Sequence, residues 1–246
     1  MFRRTVNGTV LDFGTSGLLR FSNLVMYDRQ THSWWQEFSG EAIVGEMTGH
    51  KLELLALEIV PWKEFKAAFP QGQVLSRRTG HSRPYGLNPY VLYDTSDPFL
   101  FEGPRDVRLP PTERVVGIDK SDLSIAVPYS VLEERRVVHL SLAGEELVVF
   151  FKKGATSSLD NRSIKSGRDV GAVGVFSPHL DGQRLTFQPH GEEIMDEQTG
   201  STWTLLGRAE SGPLAGRQLD SVVHRAGSFW FSWVTYRPDT LIYRLQ

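Results

Sequence analysis

The stretch VMYDRQTHSWWQEFSGEAIVG, residues 25–45, returns in altered form as IMDEQTGSTWTLLGRAESG, residues 194–212. Each stretch has an aspartate whose carboxylate can accept hydrogen bonds from the backbone of its own turn, followed by a tryptophan on the returning strand. This order is typical of a β-hairpin in which the tryptophan packs across to the partner strand. The sequence therefore predicts two related hairpins in one chain.

The similarity between the two stretches extends beyond the hairpins. Asp28 aligns with Asp196 and Trp35 aligns with Trp203 at one constant spacing, and three glycine pairs and one proline pair downstream follow at nearly the same spacing. Repeated spacing of this kind indicates a duplicated supersecondary unit. The alignment also leaves residues 113–175 without a counterpart in front of the first copy. We therefore expect two copies of one β-rich repeat unit, the first N-terminally incomplete.

The predicted fold class is mainly β with a few short helices, of the α+β type. Short apolar runs rich in β-branched and aromatic residues alternate with Gly, Asp, Asn and Pro, which is the pattern of strands and turns. Helical spacing of apolar residues is clear only over 62–69, and a short helix is predicted over 129–135 behind Pro128. The predicted organisation is a first copy at 1–80, a proline- and aromatic-rich connecting segment at 81–112, and a second copy with its leader at 113–246.

Composition excludes several classes of function. The chain of 246 residues has a net charge of −2 with scattered Lys and Arg, so we expect no nucleic-acid partner. It has no apolar run of about 18 residues, which predicts no membrane span, and no signal peptide follows Met1. The chain has no cysteine, and its seven histidines show no ligand spacing. We expect no metal site and no cofactor, and we identify no catalytic residue.

The connecting segment 81–112 holds the candidate ligand-binding residues. Rigid aromatic walls with a few hydrogen-bonding groups are typical of ligand clefts. Trp34 in the first hairpin is added to these residues. Adjacent residues on a strand face opposite sides, and since Trp35 is expected in the core, Trp34 is expected at the surface. The predicted site residues are Arg83, Tyr85, Asn88, Tyr90, Tyr93, Asp94 and Trp34.

A structural interpretation of the same segment is also consistent with its composition. A long linker stiffened by prolines can pack across the seam between two units, with its tyrosines filling the groove. Under that interpretation the aromatic side chains stabilise a joint and bind no ligand. The sequence leaves both interpretations open.

Several long strings resemble one protein family. The strings VLDFGTSGLLRFSNLVMYDRQTHSWWQEFSGEAIVGEMTGHKLELL, LSRRTGHSRPYGLNPYVLYD, PFLFEGPRDVRLPPTERVVGI and TGSTWTLLGRAESGPLAGRQL resemble DUF3179, a family of prokaryotic proteins without a known function. The resemblance covers nearly the whole chain. It implies an extracytoplasmic location. It also implies, in fuller members, a leader ending in a Cys-Pro-Leu-Cys-type motif that is absent from this sequence.

The function itself stays unknown at this level, and the sequence leaves open whether the protein is an enzyme. The first hypothesis is a non-catalytic binding or scaffold module, extracytoplasmic as the resemblance implies, with an unknown ligand or protein partner. The alternative is the remainder of a thiol or selenol redox enzyme or a metal-dependent enzyme whose cysteine motif lies in the missing leader. An incomplete first copy would also expose a strand edge, which predicts self-association through that copy.

Overall fold

The structure is a computed structural model that describes residues 1–95 and 97–245. It confirms the predicted fold class, since the described residues form many short strands and three α-helices. The strands are β1 Thr5–Val6, β2 Thr9–Val10, β3 Phe13–Arg20, β4 Asn23–Asp28, β5 Trp34–Gln36, β6 Glu41–Val44, β7 Arg114–Lys120, β8 Leu123–Pro128, β9 Val137–Leu142, β10 Glu145–Lys152, β11 Ala172–Phe176, β12 His179–Leu180, β13 Gln183–Arg184, β14 Phe187–His190, β15 Glu193–Asp196, β16 Thr202–Trp203, β17 Arg225–Phe229 and β18 Leu241–Ile242. The helices are α1 Trp62–Ala68, α2 Tyr129–Arg135 and α3 Trp230–Tyr236, and Ile164–Ser166 forms one 3₁₀ turn.

The first part of the chain is built on one antiparallel sheet in the order β3-β4-β5-β6. Its core cluster has Trp35 at the centre, packed with Val6, Leu11, Ala42 and Leu52. Trp35 is completely buried, whereas the neighbouring Trp34 is 39 % exposed. The predicted assignment of these two side chains to opposite faces is therefore confirmed.

The second part has three sheets of three or four strands, in the orders β11-β10-β9, β14-β15-β16 and β17-β7-β8-β18. The central strand β10 is buried on both faces. Val149 and Phe151 belong to one core cluster, and Val148 and Phe150 belong to another. Because successive residues of a strand point to opposite faces, a strand between two cores reads as a continuous apolar run, which explains the sequence LVVFF.

Helix α3 lies against strand β7. A β-carbon added at Gly117 would lie 2.2 Å from the ring of Trp233, so glycine is required for the indole to sit directly on the strand. Trp230 and Trp233 are both completely buried. Phe38, from the first part of the chain, stacks on Tyr236 at a centroid distance of 4.5 Å, which joins the two parts through this helix.

The sequence predicted α1 and α2 but not α3. The predicted range 129–135 for α2 agrees with the structure, and the predicted range 62–69 for α1 exceeds the observed helix by one residue. Helix α3 carries Trp, Phe, Trp, Val and Tyr over seven residues and buries four of them. Its buried residues Trp230, Trp233 and Val234 do fall at helical spacing, but a run of aromatic and β-branched residues is equally typical of a strand, so the sequence did not identify the helix.

The two hairpins make the same hydrogen bonds. The indole Nε1 of Trp35 donates to Asp28 Oδ2 at 2.9 Å, and Trp203 donates to Asp196 Oδ2 at the same distance. In each turn the backbone N–H of the third residue after the aspartate also donates to Oδ1, at 2.6 Å. These matched contacts support the two-copy organisation, which stays a prediction together with its boundaries at 80 and 112.

The hairpins differ at one turn position. Gly200 has a φ of 71° and the equivalent His32 has a φ of 55°. Both residues lie in the left-handed region, which glycine adopts freely and histidine adopts at a cost. The first turn therefore holds His32 in a backbone conformation that costs more for histidine than for glycine.

We expect stability to fall as the pH is lowered from about 7 towards 5, because of a buried histidine. His224 is 4 % exposed, its Nδ1 contacts the carbonyl oxygen of Val222 at 2.8 Å, and burial lowers its pKa below the usual 6.5. Between the two pKa values the unfolded chain binds the proton and the folded chain does not, so acidification favours unfolding. Urea unfolding at pH 7.5, 6.5 and 5.5 measures this slope.

The matched control for that experiment is the same series on His224→Leu. The variant should show a smaller loss of stability between pH 7.5 and 5.5. Burial also lowers the pKa of His139, so part of the slope should remain. An unchanged slope in the variant would contradict the assignment to His224.

Candidate functional site

The connecting segment lies along a loop of the second part of the chain. The N–H of Asn88 donates to the carbonyl of Arg162 at 2.8 Å, and the N–H of Ile164 donates to the carbonyl of Gly86 at 3.1 Å. Farther along, the N–H of Leu92 donates to the carbonyl of Asp160 at 2.8 Å. These backbone bonds fix residues 86–92 against residues 160–164.

Asn88 holds the sharp turn within that segment. Its side-chain Oδ1 accepts a hydrogen bond from the N–H of Tyr90 at 2.7 Å, and its Nδ2 donates to the carbonyl of Asn161 at 3.3 Å. The residue is only 4 % exposed. An asparagine that bonds its own backbone two residues on is a common way to set a turn, so Asn88 shapes the local backbone.

The turn and the loop together form a surface cavity of about 750 Å³. Three of the predicted site residues, Arg83, Tyr85 and Asn88, line this cavity. The remaining lining residues are Pro84, Gly86, Leu87, Pro89, Val91 and Arg162. We call this cavity the Arg83–Arg162 pocket.

The walls of the Arg83–Arg162 pocket are mainly apolar, and its charge is positive. Within residues 1–95 and 97–245, neither Arg83 nor Arg162 forms a salt bridge, and no carboxylate lines the pocket. The hydroxyl of Tyr85 lies 2.6 Å from Thr79 Oγ1, which orients the phenol ring. Two free guanidinium groups beside a fixed aromatic ring suit an anionic ligand with an apolar part.

Tyr90 and Tyr93 lie outside this pocket and contact each other. Their ring centroids are 6.2 Å apart, and Tyr93 also meets Phe99 at 5.2 Å and Phe229 of β17 at 6.1 Å. Burial raises the pKa of Tyr93 above its usual value. Tyr93 therefore forms part of an aromatic contact between the connecting segment and β17.

Asp94 lies in a buried ion-pair cluster. Its carboxylate is 3.0 Å from the guanidinium of Arg114 and 3.3 Å from that of Arg168, and it accepts a hydrogen bond from Ser157 Oγ at 2.5 Å. The aspartate side chain is fully buried, and Arg114 is 16 % exposed. The cluster connects residue 94 to β7 and to the loop after β10.

Trp34 lies on a β-sheet, whereas the other predicted site residues lie in the connecting segment. It belongs to β5, pairs with Tyr27 of β4 and Val44 of β6, and is 39 % exposed. The structure therefore groups Arg83, Tyr85 and Asn88 at one pocket, and places Trp34 on a separate surface.

Comparison with protein-family models gives one match, described as "Protein of unknown function (DUF3179)", over residues 1–240. This match covers more than half of the chain, together with both hairpins and the Arg83–Arg162 pocket.

The chain belongs to the DUF3179 family.

No match was found among curated proteins or among solved structures. The family description gives no function, so the function of this DUF3179 protein has to be inferred from its geometry. None of its described helices has the length and apolar character needed to cross a membrane. Nor do the described residues of this DUF3179 chain include a group of three or more His, Cys, Asp or Glu that could hold a metal ion.

The sequence missed four residues that contact the predicted site residues. Arg162 lines the pocket, and Arg114, Ser157 and Arg168 contact Asp94. Arg114 lies two residues after the connecting segment, at the start of β7, whereas Ser157, Arg162 and Arg168 come from the loop after β10. A buried aspartate requires cationic partners, but nothing in a single sequence indicates which arginines supply them.

Proposed function

We propose that this DUF3179 protein is a non-catalytic binding module whose ligand site is the Arg83–Arg162 pocket. The observation that carries the proposal is the pairing of two guanidinium groups, free of carboxylate partners in the described structure, with an apolar wall at Tyr85. Planar guanidinium groups recognise carboxylates and phosphates through paired hydrogen bonds.

The fixed backbone of the pocket also favours binding. Residues 86–92 are held by hydrogen bonds to 160–164, so little ordering is needed when a ligand enters. The ligand class that fits is a small aromatic carboxylate or aromatic phosphate, with its ring against Tyr85 and its anionic group at the arginines.

We expect benzoate and phenyl phosphate to raise the melting temperature, and neutral benzamide to leave it unchanged. The anions gain charge-assisted hydrogen bonds from Arg83 and Arg162, and benzamide does not. A ligand that binds only the folded state stabilises it by mass action, so a thermal-shift titration measures the effect. Arg83→Gln and Tyr85→Ala should each weaken the response about tenfold or more in ligand concentration.

The chain supplies matched controls for both variants. Tyr90 is as exposed as Tyr85 and does not line the pocket, and Arg78 is an exposed arginine outside it. Tyr90→Ala and Arg78→Gln should leave the titration unchanged. Equal responses to benzoate and benzamide, or equal losses in the controls, would reject the pocket as the anion site.

We propose, on the family resemblance alone, that the module works outside the cytoplasm. Fractionation of cells expressing the natural gene, followed by immunodetection, tests this location. The enzyme alternative is tested by reading the genomic DNA upstream of Met1. An in-frame Cys-x-x-Cys or Cys-UGA pattern there would support it.

A further inference from the structure

Helices α1 and α3 occupy equivalent positions in the sequence. Trp62 aligns with Trp230, and Phe65 aligns with Trp233, at the same spacing that relates Asp28 to Asp196. Both helices are seven residues long. The five residues before α1, 57–61, align at that spacing with the whole of strand β17.

The two helices have opposite environments. Trp230 and Trp233 of α3 are completely buried, and that helix buries four residues. Helix α1 buries none, and its Trp62 is 53 % exposed. Phe69, at the C-cap of α1, is also 53 % exposed. Trp62 is therefore largely exposed where its counterpart Trp230 is buried, and Phe65 is only partly buried where its counterpart Trp233 is completely buried.

Helix α3 packs against the strand pair β7–β8. Strand β17 pairs antiparallel with β7, with Phe229 opposite Arg114, and β7 pairs with β8. The indole of Trp233 lies over Gly117 of β7, where a β-carbon would collide with it. One strand therefore supplies both the backbone partner of β17 and the surface under α3.

The stretch 57–61 before α1 has no such partner strand. In the described part of the chain, the backbone N–H groups of residues 56–60 donate to no backbone or side-chain acceptor. Leu57 is 38 % exposed and Ile59 is 64 % exposed. A stretch with free backbone groups and exposed apolar side chains is a template for adding a strand.

One side of α1 faces the second part of the chain. The other side, which corresponds to the side of α3 that packs on β7, is uncovered in the described residues. Glu64 forms a salt bridge with Lys152 at 2.9 Å, and Phe65 lines a cleft together with Leu206 of the second hairpin. Leu206 aligns with Phe38, the residue that contacts α3 from the first hairpin. Each helix thus faces the opposite hairpin, but within residues 1–95 and 97–245 no strand pair covers α1 as β7–β8 covers α3.

We propose that residues 57–69 form a docking site for a β-hairpin from another polypeptide. Its first strand adds antiparallel to residues 57–61, and its face lies under Trp62 and Phe65. The hairpin that fits has β-branched residues around a glycine, as in β7–β8 at Gly117, because a larger side chain there would collide with the aromatic rings. This surface is separate from the Arg83–Arg162 pocket.

The test probe is a head-to-tail cyclic peptide of residues 113–128 of this chain, which contains β7 and β8. Cyclisation is needed because an isolated two-stranded hairpin is marginally stable in water. Titrated into the full-length protein with a fluorescent label, it should show saturable binding in fluorescence anisotropy. Trp62→Ala should weaken binding about tenfold or more, as expected for a central aromatic anchor. The Gly117→Val peptide should weaken binding to a similar degree.

The control variant is Trp34→Ala, which removes an exposed tryptophan on strand β5, away from α1, and should leave the affinity unchanged. Hydrogen exchange should slow at residues 56–60 when the peptide is bound, which a purely structural effect of Trp62→Ala would not produce. No saturable binding, equal affinity for Trp62→Ala, or no protection at 56–60 would overturn the proposal. So would Trp62-dependent dimerisation in light scattering, or Trp62-dependent binding to phosphatidylglycerol vesicles, since either would assign the face to another occupant.

Discussion

Replacing Trp203 by alanine will lower the free energy of unfolding by about 3–5 kcal/mol, the range for a large core aromatic. Trp203 is 3 % exposed and meets Phe187 edge to face at 5.5 Å. Its indole N–H also donates to Asp196, which is completely buried. Truncation therefore opens a cavity and removes a hydrogen bond from a buried carboxylate. Urea unfolding followed by circular dichroism measures the loss.

Two further variants separate these contributions. Trp34→Ala should cost less than about 1 kcal/mol, because the residue is 39 % exposed and leaves little cavity. Trp203→Phe should fall between the two, because it keeps most of the ring but removes the donor to Asp196. Comparable losses for Trp203→Ala and Trp34→Ala would mean that the assignment of the hairpin faces is wrong.

The hairpins were predictable because their signals are local. The Asp and Trp of each hairpin lie close together in the sequence, and strand alternation then assigned Trp35 to the core and Trp34 to the surface. The cross-strand partner of Trp203 is Ile194, which the sequence pattern alone does not specify. Register depends on the turn geometry, and a shift of one residue is below what the sequence pattern resolves.

The arrangement of the larger sheets was not predictable in the same way. Strand β17 pairs with β7, and β18 pairs parallel with β8, although each pair is separated by about half of the chain. Such pairings depend on which apolar faces fit together in three dimensions. The same reason explains the missed helix α3, whose burial comes from β7 and from Phe38.

The candidate site was likewise only partly predictable from the sequence. Arg83, Tyr85 and Asn88 lie within six residues of sequence, and composition alone placed them in one candidate site. Arg162, which supplies the second charge of the pocket, is brought there by backbone pairing of a distant loop. Both interpretations of the connecting segment find support, because residues 83–89 and Val91 line a pocket while Tyr93 and Asp94 are packed against the second part of the chain.

Replacing Asp94 by alanine will lower the free energy of unfolding by about 3–5 kcal/mol, as expected when one partner of a buried ion pair is removed. Arg114 is 16 % exposed and its guanidinium also lies 4.9 Å from the ring of Phe229, so it cannot easily reach water. Without Asp94 its charge remains largely buried and unpaired, and Ser157 loses its acceptor. Urea unfolding measures the loss, with circular dichroism confirming that the variant folds.

The control lies three residues away, because Asp97 forms an exposed ion pair with Arg105 in which the two side chains are 69 % and 64 % exposed. Exposed pairs contribute about 0–1 kcal/mol, so Asp97→Ala should be nearly neutral. Asp94→Ala should also weaken the attachment of the whole connecting segment, since Asp94 joins it to β7 and to the loop after β10. Equal losses for the two aspartates would show that the Asp94 cluster does not stabilise the joint, and the segment would then be held mainly by its backbone bonds to residues 160–164.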